Sequence, residues 1–341
     1  MANFDNSILV TGGTGFLGSY LLRYLVEMGY TQIYALKRAN SPMDLVLPIK
    51  DKINWLEGDI LDMPFLEEAM EGKQQVYHCA AMVSFQSKDK NRLLEVNDQG
   101  TANVVNVALL KNIEKLIHTS SIAALGRNEQ NDTIDENAVW EHNDFNSNYA
   151  KSKYKSEMQV WRGIAEGLTA AMVNPSLIFG SGFWHTGTPK MFQTLSKSFP
   201  FYPKGGTGVV DVRDVARFMI LLMNSDVEAQ RFVLNGDNLS YQQLFGLIAT
   251  STDANPPTRP ISELLSQIAW RLEWFRSKLT GANPLYTKEN ANTTKHFFKY
   301  KNEKSKGVFD FTYTPIQETL KETGEQFLAS KGKKPAFLPL N

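Results

Sequence analysis

The chain holds one cysteine, Cys79, in 341 residues. A lone thiol excludes an intrachain disulfide and any all-cysteine metal site. No run approaches the roughly 18 consecutive apolar residues that a membrane-spanning helix needs. Charge of one sign is also missing: 36 Lys and Arg balance 36 Asp and Glu, for a formal net charge of zero. A dedicated nucleic-acid binder carries a basic excess, so that class is disfavoured. Met1–Val10 lacks the basic region and apolar core of a secretory signal. There is no internal repeat and no low-complexity run. What is present is ordinary globular material, 42% hydrophobic and 21% charged, enough for one large domain or two smaller ones. These facts predict a soluble, cytoplasmic enzyme, and no metal site is expected from the sequence.

The first half alternates short β-rich runs with helical patterns. Ser7–Val10, Ile33–Leu36, Ile53–Leu56, Val76–Cys79, Leu116–Thr119 and Ala170–Val173 read as strands. Helices are predicted over Phe16–Met28, Pro64–Met70, Lys90–Leu110 and Asn148–Glu166. Strands alternating with helices mean parallel pairing and right-handed crossovers, so the class is doubly wound α/β. Beyond Gly180 glycine, proline and aromatics crowd together. Helices then follow near Asp211–Met223, Tyr241–Thr250, Ser262–Leu279 and Ile316–Ala329, with one strand, Arg231–Asn235. We therefore expect a dinucleotide-binding domain over 1–179, onto which 209–236 packs back. A smaller α-rich region, 180–208 with 237–341, would bind substrate. Ser262–Leu279 carries Trp270, Trp274 and Phe275, but Arg271, Glu273 and Arg276 interrupt it, as in a buried amphipathic helix. Lys288–Lys306 holds six lysines against two glutamates. It reads first as a solvated face and second as a surface for an anion or a membrane.

Thr11–Gly18 reads TGGTGFLG, in which Gly13, Gly15 and Gly18 fit G-x-G-x-x-G. The motif directly follows a strand and opens a helix. Glycines there let the backbone approach a pyrophosphate, and the helix N-terminus supplies free N–H groups. Thr11, Gly12, Gly13, Thr14, Gly15, Phe16, Leu17 and Gly18 are thus candidate cofactor residues. Twenty residues on, where such folds read the adenosine ribose, stand Lys37 and Arg38 with no acid. A guanidinium fork suits the 2′-phosphate, so NADP is expected, with NAD the alternative. Asp59, followed by Ile60, sits where the adenine edge would lie; it accepts from the exocyclic amine or caps a turn.

Tyr149 and Lys153 are four apart on a predicted helix and share one face. Ala150, Tyr154, Met158, Trp161 and Ala165 read as the core stripe beside it. A nearby ammonium, with an oxidised nicotinamide, would lower the tyrosine pKa and make it a usable base. Lys153 can also bond the nicotinamide ribose. Ser120 and Ser121 end the fifth strand, at the carboxyl edge where doubly wound folds bind ligands.

With these residues the chain resembles the extended short-chain dehydrogenase/reductases, or NAD-dependent epimerase/dehydratase family, over nearly its whole length. TGGTGFLG at Thr11 looks like its glycine motif and YAKSK like its Tyr-Lys pair. HCAAMVSF at His78 resembles the fourth-strand motif, which implies that Ala80, Ala81 and Met82 run along the cofactor. NDQGTANV resembles the helix whose asparagine, here Asn97, supports the active site. TSSIAALG implies Ser121 as the catalytic serine, with Ser120 structural. NPSLIFG resembles the segment whose backbone holds the nicotinamide amide, implying Asn174, Pro175, Ser176 and Ile178. VDVRDVA at Val210 and FVLNGDNLSYQQL at Phe232 match later hallmarks. The branch looks like dihydroflavonol 4-reductases and 3β-hydroxysteroid dehydrogenases; Phe309–Asp310–Phe311 departs from it, lacking a glycine before the aromatic.

The resemblance implies a Rossmann fold and an NADP-dependent carbonyl reductase or alcohol dehydrogenase using Ser121, Tyr149 and Lys153. A sugar-nucleotide epimerase or dehydratase is the alternative, kept open by Asn174–Pro175, and a non-catalytic cofactor sensor is the third reading. It also implies a homodimer packed through helices such as Lys90–Leu110 and Asn148–Glu166. The pocket walls are expected from Val83, Ser84 and Phe85 and from Phe183, Trp184 and Met191, all leaving the carboxyl edge. Their aromatic content predicts an apolar or aromatic carbonyl substrate.

Overall fold

The computed structural model describes residues 4–127, 133–143, 146–280 and 293–340. Seven strands form its central sheet: β1 (Ile8–Thr11), β2 (Ile33–Lys37), β3 (Asn54–Glu57), β4 (Gln75–His78), β5 (Lys115–Thr119), β6 (Ala170–Pro175) and β7 (Arg231–Leu234). They lie in the order 3-2-1-4-5-6-7, every pair parallel. Strands covered on both faces read as continuous apolar runs, and ILVT in β1 is buried at all four positions. The chain order reverses between β1 and β4, which opens a crevice at their carboxyl ends.

Five helices cover the sheet: α1 (Phe16–Glu27), α2 (Met63–Met70), α3 (Gly100–Leu110), α4 (Asn148–Ala165) and α5 (Val212–Met223). On one face, Leu21 and Leu25 of α1 and Phe218 and Leu222 of α5 pack with Ile8, Val10 and Ile117. On the other, Leu66 of α2, Val104 and Val107 of α3 and Val160 of α4 pack with Leu9, Val76 and Leu116. α5 and β7 thus belong to the layers of the central sheet.

Two predicted helices differ from expectation. The segment Lys90–Leu110 is not one α-helix, because a π-turn at Glu95–Gln99 separates Lys90–Leu94 from α3. Such bulges recur at functional sites, and this one carries Asn97. In α4 the expected apolar stripe is not the buried one. Met158 is 45% exposed, Ala165 is exposed, and Tyr154 is half-buried against Trp140, with stacked rings 4.4 Å apart. The inward face is Ala150, Ser152, Lys153, Ser156, Glu157, Val160 and Gly163.

The region after Gly180 is less purely α-helical than expected. Strands Leu177–Phe179, Gly206–Asp211 and Asp237–Ser240 build a second, mixed sheet. Gly-Thr-Gly and Asp-Asn-Leu-Ser carry little strand signal, and pairing supplies it instead. Helices Pro189–Leu195, Tyr241–Ser251 and Ile316–Ser330 pack against this sheet around Phe192, Leu244, Ile248 and Leu320. Helix Glu263–Thr280 shows Leu265, Ile268 and Phe275 exposed, so the expected buried face is not what these three present. Trp274 and Lys288 lie outside the described side chains.

The C-terminal segment returns to α1. The Tyr20 hydroxyl donates to Ser181 O (2.9 Å) and accepts from Leu338 N (2.8 Å), and the Leu338 side chain is buried. Arg23 lies over the Phe337 ring, 4.5 Å from its centroid.

Candidate active site

The glycine loop is shaped by contacts that exclude side chains. Gly12 has φ +71°, and a Cβ there would lie 2.7 Å from Ala80 N; one on Gly18 would lie 2.2 Å from Gly12 O. Substituents at both positions would push the loop off β4 and α1. Gly15 is the N-cap of α1, without a side-chain cap and with no acidic residue in the first turn. The dipole end and the N–H groups that Phe16 and Leu17 contribute to this turn are therefore set for an anion. The loop fits a dinucleotide pyrophosphate on this ground.

Beneath the loop runs a directional hydrogen-bond chain. Thr11 Oγ1 accepts from Ala80 N (3.2 Å) and meets His78 Nδ1 at 2.7 Å. His78 Nε2 meets Thr101 Oγ1 at 3.0 Å, and Thr101 Oγ1 donates to Asn97 O (2.6 Å). The single Thr101 proton is thereby committed, so His78 must donate from Nε2 and accept from Thr11 at Nδ1. Burial, and then the Lys153 charge, push the His78 pKa down to about 3, so the ring stays neutral. His118 is held well below its usual value by the same causes.

At the adenosine end, Lys37 is not free. It ends β2 opposite Glu57, which ends β3, and the two form an ion pair. Sequence inspection missed this acid because it comes from the neighbouring strand. Arg38 is exposed, and its main-chain N–H donates to Ser41 Oγ at 2.9 Å. Asp59 caps a turn, Oδ1 accepting from Leu61 N at 3.1 Å; Ile60 is buried and its carbonyl accepts from Asn103 (3.1 Å).

The loop after β4 is clamped from the π-turn. Asn97 Oδ1 accepts from Met82 N (2.7 Å), and its amide donates to Met82 O and to Ser152 Oγ, both at 2.9 Å. Ala80 and Met82 are half-buried, and Ala81 is exposed along the same edge. Phe85 then turns back, its ring edge-on to Tyr149 with centroids 5.6 Å apart. Val83 is 64% exposed, and Ser84 donates to Asp89 (2.5 Å).

Ser121 and Tyr149 meet here, with Lys153 one turn further along α4. The Ser121 hydroxyl lies near enough to that of Tyr149 to pull its pKa down, Ser121 Oγ accepts from Ala123 N at 3.1 Å, and Lys153 Nζ donates to Thr119 O at 2.7 Å. The Tyr149 pKa runs opposite to the expected direction. Burial raises it, and the Ser121 contact only partly offsets this. Burial likewise pushes the Lys153 pKa down to about 8, against the opposing pull of Glu157 and then Cys79.

On the far wall, Asn174 is fully buried. Its amide donates to Ser121 O (3.0 Å) and to the Glu157 carboxylate. Pro175 and Ser176 are buried and Ile178 half-buried. Phe183 is half-buried against His185, with centroids 5.6 Å apart, and Met191 packs on the second core. Trp184 is not a pocket wall. It is 2% exposed, packs edge-on against Phe327 with centroids 5.2 Å apart, and donates to Lys334 O at 2.7 Å. An aromatic-rich loop reads alike whether it lines a pocket or plugs a junction. Among the described residues, no cluster of three or more His, Cys, Asp or Glu could hold a metal, and no helix is long and apolar enough to cross a membrane.

Comparison with known proteins gives the family and the fold. Residues 8–235 match the NAD dependent epimerase/dehydratase family. A putative dihydroflavonol 4-reductase of Synechocystis is 33% identical over 260 residues, 74% of each chain. Cinnamoyl-CoA reductase 1 of Petunia hybrida is 26% identical over 342 residues, 96% of this chain and 93% of that protein. The UDP-glucose 4-epimerase of Thermotoga maritima, solved with UDP-glucose, shares the fold. Its TM-score is 0.77 at 20% identity, over 95% of this chain and 99% of that one. The chain belongs to the NAD dependent epimerase/dehydratase family, the extended short-chain dehydrogenase/reductases, and is an NAD(P)-dependent oxidoreductase.

Because Trp184 is core, Trp184→Ala should lower the unfolding free energy by about 3–5 kcal/mol. Urea unfolding will show the loss, while NADPH affinity of the folded protein stays unchanged. Wild-type stability with a raised KM would return Trp184 to the pocket.

Proposed function

We propose that this enzyme interconverts an apolar or aromatic carbonyl compound and its alcohol, with NADPH as the cofactor. The observation that carries the reading is Phe85 standing edge-on to Tyr149, with Ser121 at the Tyr149 hydroxyl. It gives the acid–base group one apolar wall and one hydrogen-bonding neighbour, the two things such a carbonyl needs.

The residues then divide the work. Thr11–Gly18 hold the pyrophosphate, and Ala80, Ala81, Met82 and the backbone from Asn174 to Ile178 run along the rest of the cofactor. The bound nicotinamide supplies the hydride. Ser121 donates to the carbonyl oxygen and orients it. Tyr149, kept protonated by burial, gives that oxygen its proton in the reducing direction. Lys153 fixes the Thr119 carbonyl and, when charged, stabilises the phenolate left behind. Asn97 supports the loop that carries the apolar wall, to which Val83, Phe85, Phe183 and Met191 contribute.

The exposed guanidinium of Arg38 supports NADP over NAD, since Lys37 is already paired with Glu57. A cofactor domain of 1–179 with 209–236, a substrate region of 180–208 with 237–341, a homodimer and a cytoplasmic location belong to the same proposal.

Consumption of NADPH with aldehydes, ketones and sugar nucleotides tests the reading; turnover of a UDP-sugar alone, without net NADPH oxidation, would replace it with the epimerase. Tyr149→Phe keeps the ring and removes the proton. Its kcat should fall about 10²–10⁴-fold with NADPH affinity nearly unchanged, and wild-type turnover would remove Tyr149 from the chemistry. Arg38→Ala should weaken NADPH about ten- to a hundredfold, as loss of a charge-assisted hydrogen bond of roughly 1.5–3 kcal/mol implies, and leave NADH unchanged. Equal loss for both cofactors in a binding titration would make Arg38 structural.

A further inference from the structure

Glu157 lies one turn beyond Lys153 on α4 and is 1% exposed. Nothing in the acid–base chemistry above uses it. Its carboxylate is nevertheless fully engaged. Oε1 accepts from the Ser120 hydroxyl (2.6 Å) and from the Asn174 amide, and Oε2 pairs with Arg231 Nη1 at 3.0 Å. Each partner comes from a different strand: Ser120 directly follows β5, Asn174 lies in β6, and Arg231 opens β7. Arg231 is well held without it, donating to Glu136 O (2.9 Å) and Ala138 O (3.0 Å). Burying a carboxylate is costly, and an apolar residue of similar size often serves stability as well. The charge therefore calls for a reason beyond packing.

Asn174 supplies one. Its amide nitrogen donates both to Glu157 and to the Ser121 carbonyl (3.0 Å), while its Oδ1 has no partner among the described residues. An asparagine side chain can turn its oxygen where its nitrogen stood. The turned form would aim Oδ1 at two acceptors, the Ser121 carbonyl and the carboxylate, and only the latter is charged. A negative charge at Glu157 thus fixes which end of Asn174 faces Ser121.

We infer that Glu157 is a positioning residue, which orients Asn174 and Ser120 and through them holds Ser121 against Tyr149. The inference rests on the reading of Ser121 and Tyr149 as the carbonyl-handling pair, but one arm of its test does not use turnover.

The test compares the wild type with Glu157→Gln, Asn174→Ala and the double variant. With the carbonyl compound that the wild type reduces fastest, Glu157→Gln should lose about ten- to a hundredfold in kcat, as misplacement of a reacting group does. The NADPH dissociation constant, read by fluorescence, should stay within twofold. If Glu157 acts through Asn174, the double variant is no slower than the slower single variant. In the full-length protein the Asn174 side-chain amide, assigned by its absence in Asn174→Ala, should exchange with solvent faster once Glu157 is Gln. Unchanged kcat, multiplicative losses, a kcat that merely follows the folded fraction, or an unchanged Asn174 exchange rate would each overturn the inference. A wild type inert toward every carbonyl would overturn the reading of the site instead, and the exchange measurement still decides the role of Glu157. Should Glu157→Gln not fold, Ser120→Ala carries the test, since it removes a neutral partner and leaves the charge paired. A smaller drop in kcat with unchanged NADPH affinity supports the inference, and wild-type kcat overturns it.

Discussion

The face of α4 that carries Tyr149 and Lys153 is turned into the protein, and it is polar. Ser152, Lys153, Ser156 and Glu157 are all 2% exposed or less. A polar group left unpaired at such depth costs roughly 1–3 kcal/mol. Every one of these side chains is hydrogen-bonded: Ser152 to Asn97 and the Tyr149 carbonyl, Lys153 to Thr119, Ser156 to Thr101 and His118, and Glu157 to Ser120, Asn174 and Arg231. The need to satisfy this face dictates which residues line the strand ends and the π-turn opposite it. It also sets the register of α4 against the sheet, and with it the place of the tyrosine hydroxyl.

The two halves of the site are joined below the crevice. The glycine loop reaches the π-turn through Thr11, His78 and Thr101, and Thr101 meets Ser156 of α4 at 2.9 Å. Displacement of one half therefore strains a chain of neutral, tautomer-fixed bonds that ends on the other. Low dielectric strengthens such a chain when complete and penalises any gap in it. The same dryness keeps Tyr149 protonated and pulls Lys153 toward neutrality, so that protein environment and the proposed acid–base role have one cause.

Local spacing made part of this legible. The glycine loop and the Tyr-Lys pair are short patterns read within one strand–turn–helix or one helix, and the alternating strands gave the parallel sheet. What escaped was set by contacts distant in sequence. Glu57 reaches Lys37 from the next strand, and Arg231 reaches Glu157 across 74 positions. The core stripe of α4 is hidden in its sequence, because serines and charges, together with Ala150 and Val160, face inward in place of Tyr154, Met158 and Ala165. Glu157 stood four residues after Lys153, so the helical period that paired Tyr149 with Lys153 already pointed to it. Gly206–Asp211 gave no strand signal, since its partners rather than its side chains make it one.

The central claim is that burial sets the protonation of the proposed catalytic pair. Tyr149 stays a neutral acid above its ordinary value, and Lys153 carries its charge only below about pH 8. The direct measurement is the pH dependence of kcat/KM for NADPH-driven carbonyl reduction. It should be level through neutral pH and fall above about pH 8, as Lys153 loses its proton. A rate that instead climbs toward pH 10 would contradict the account.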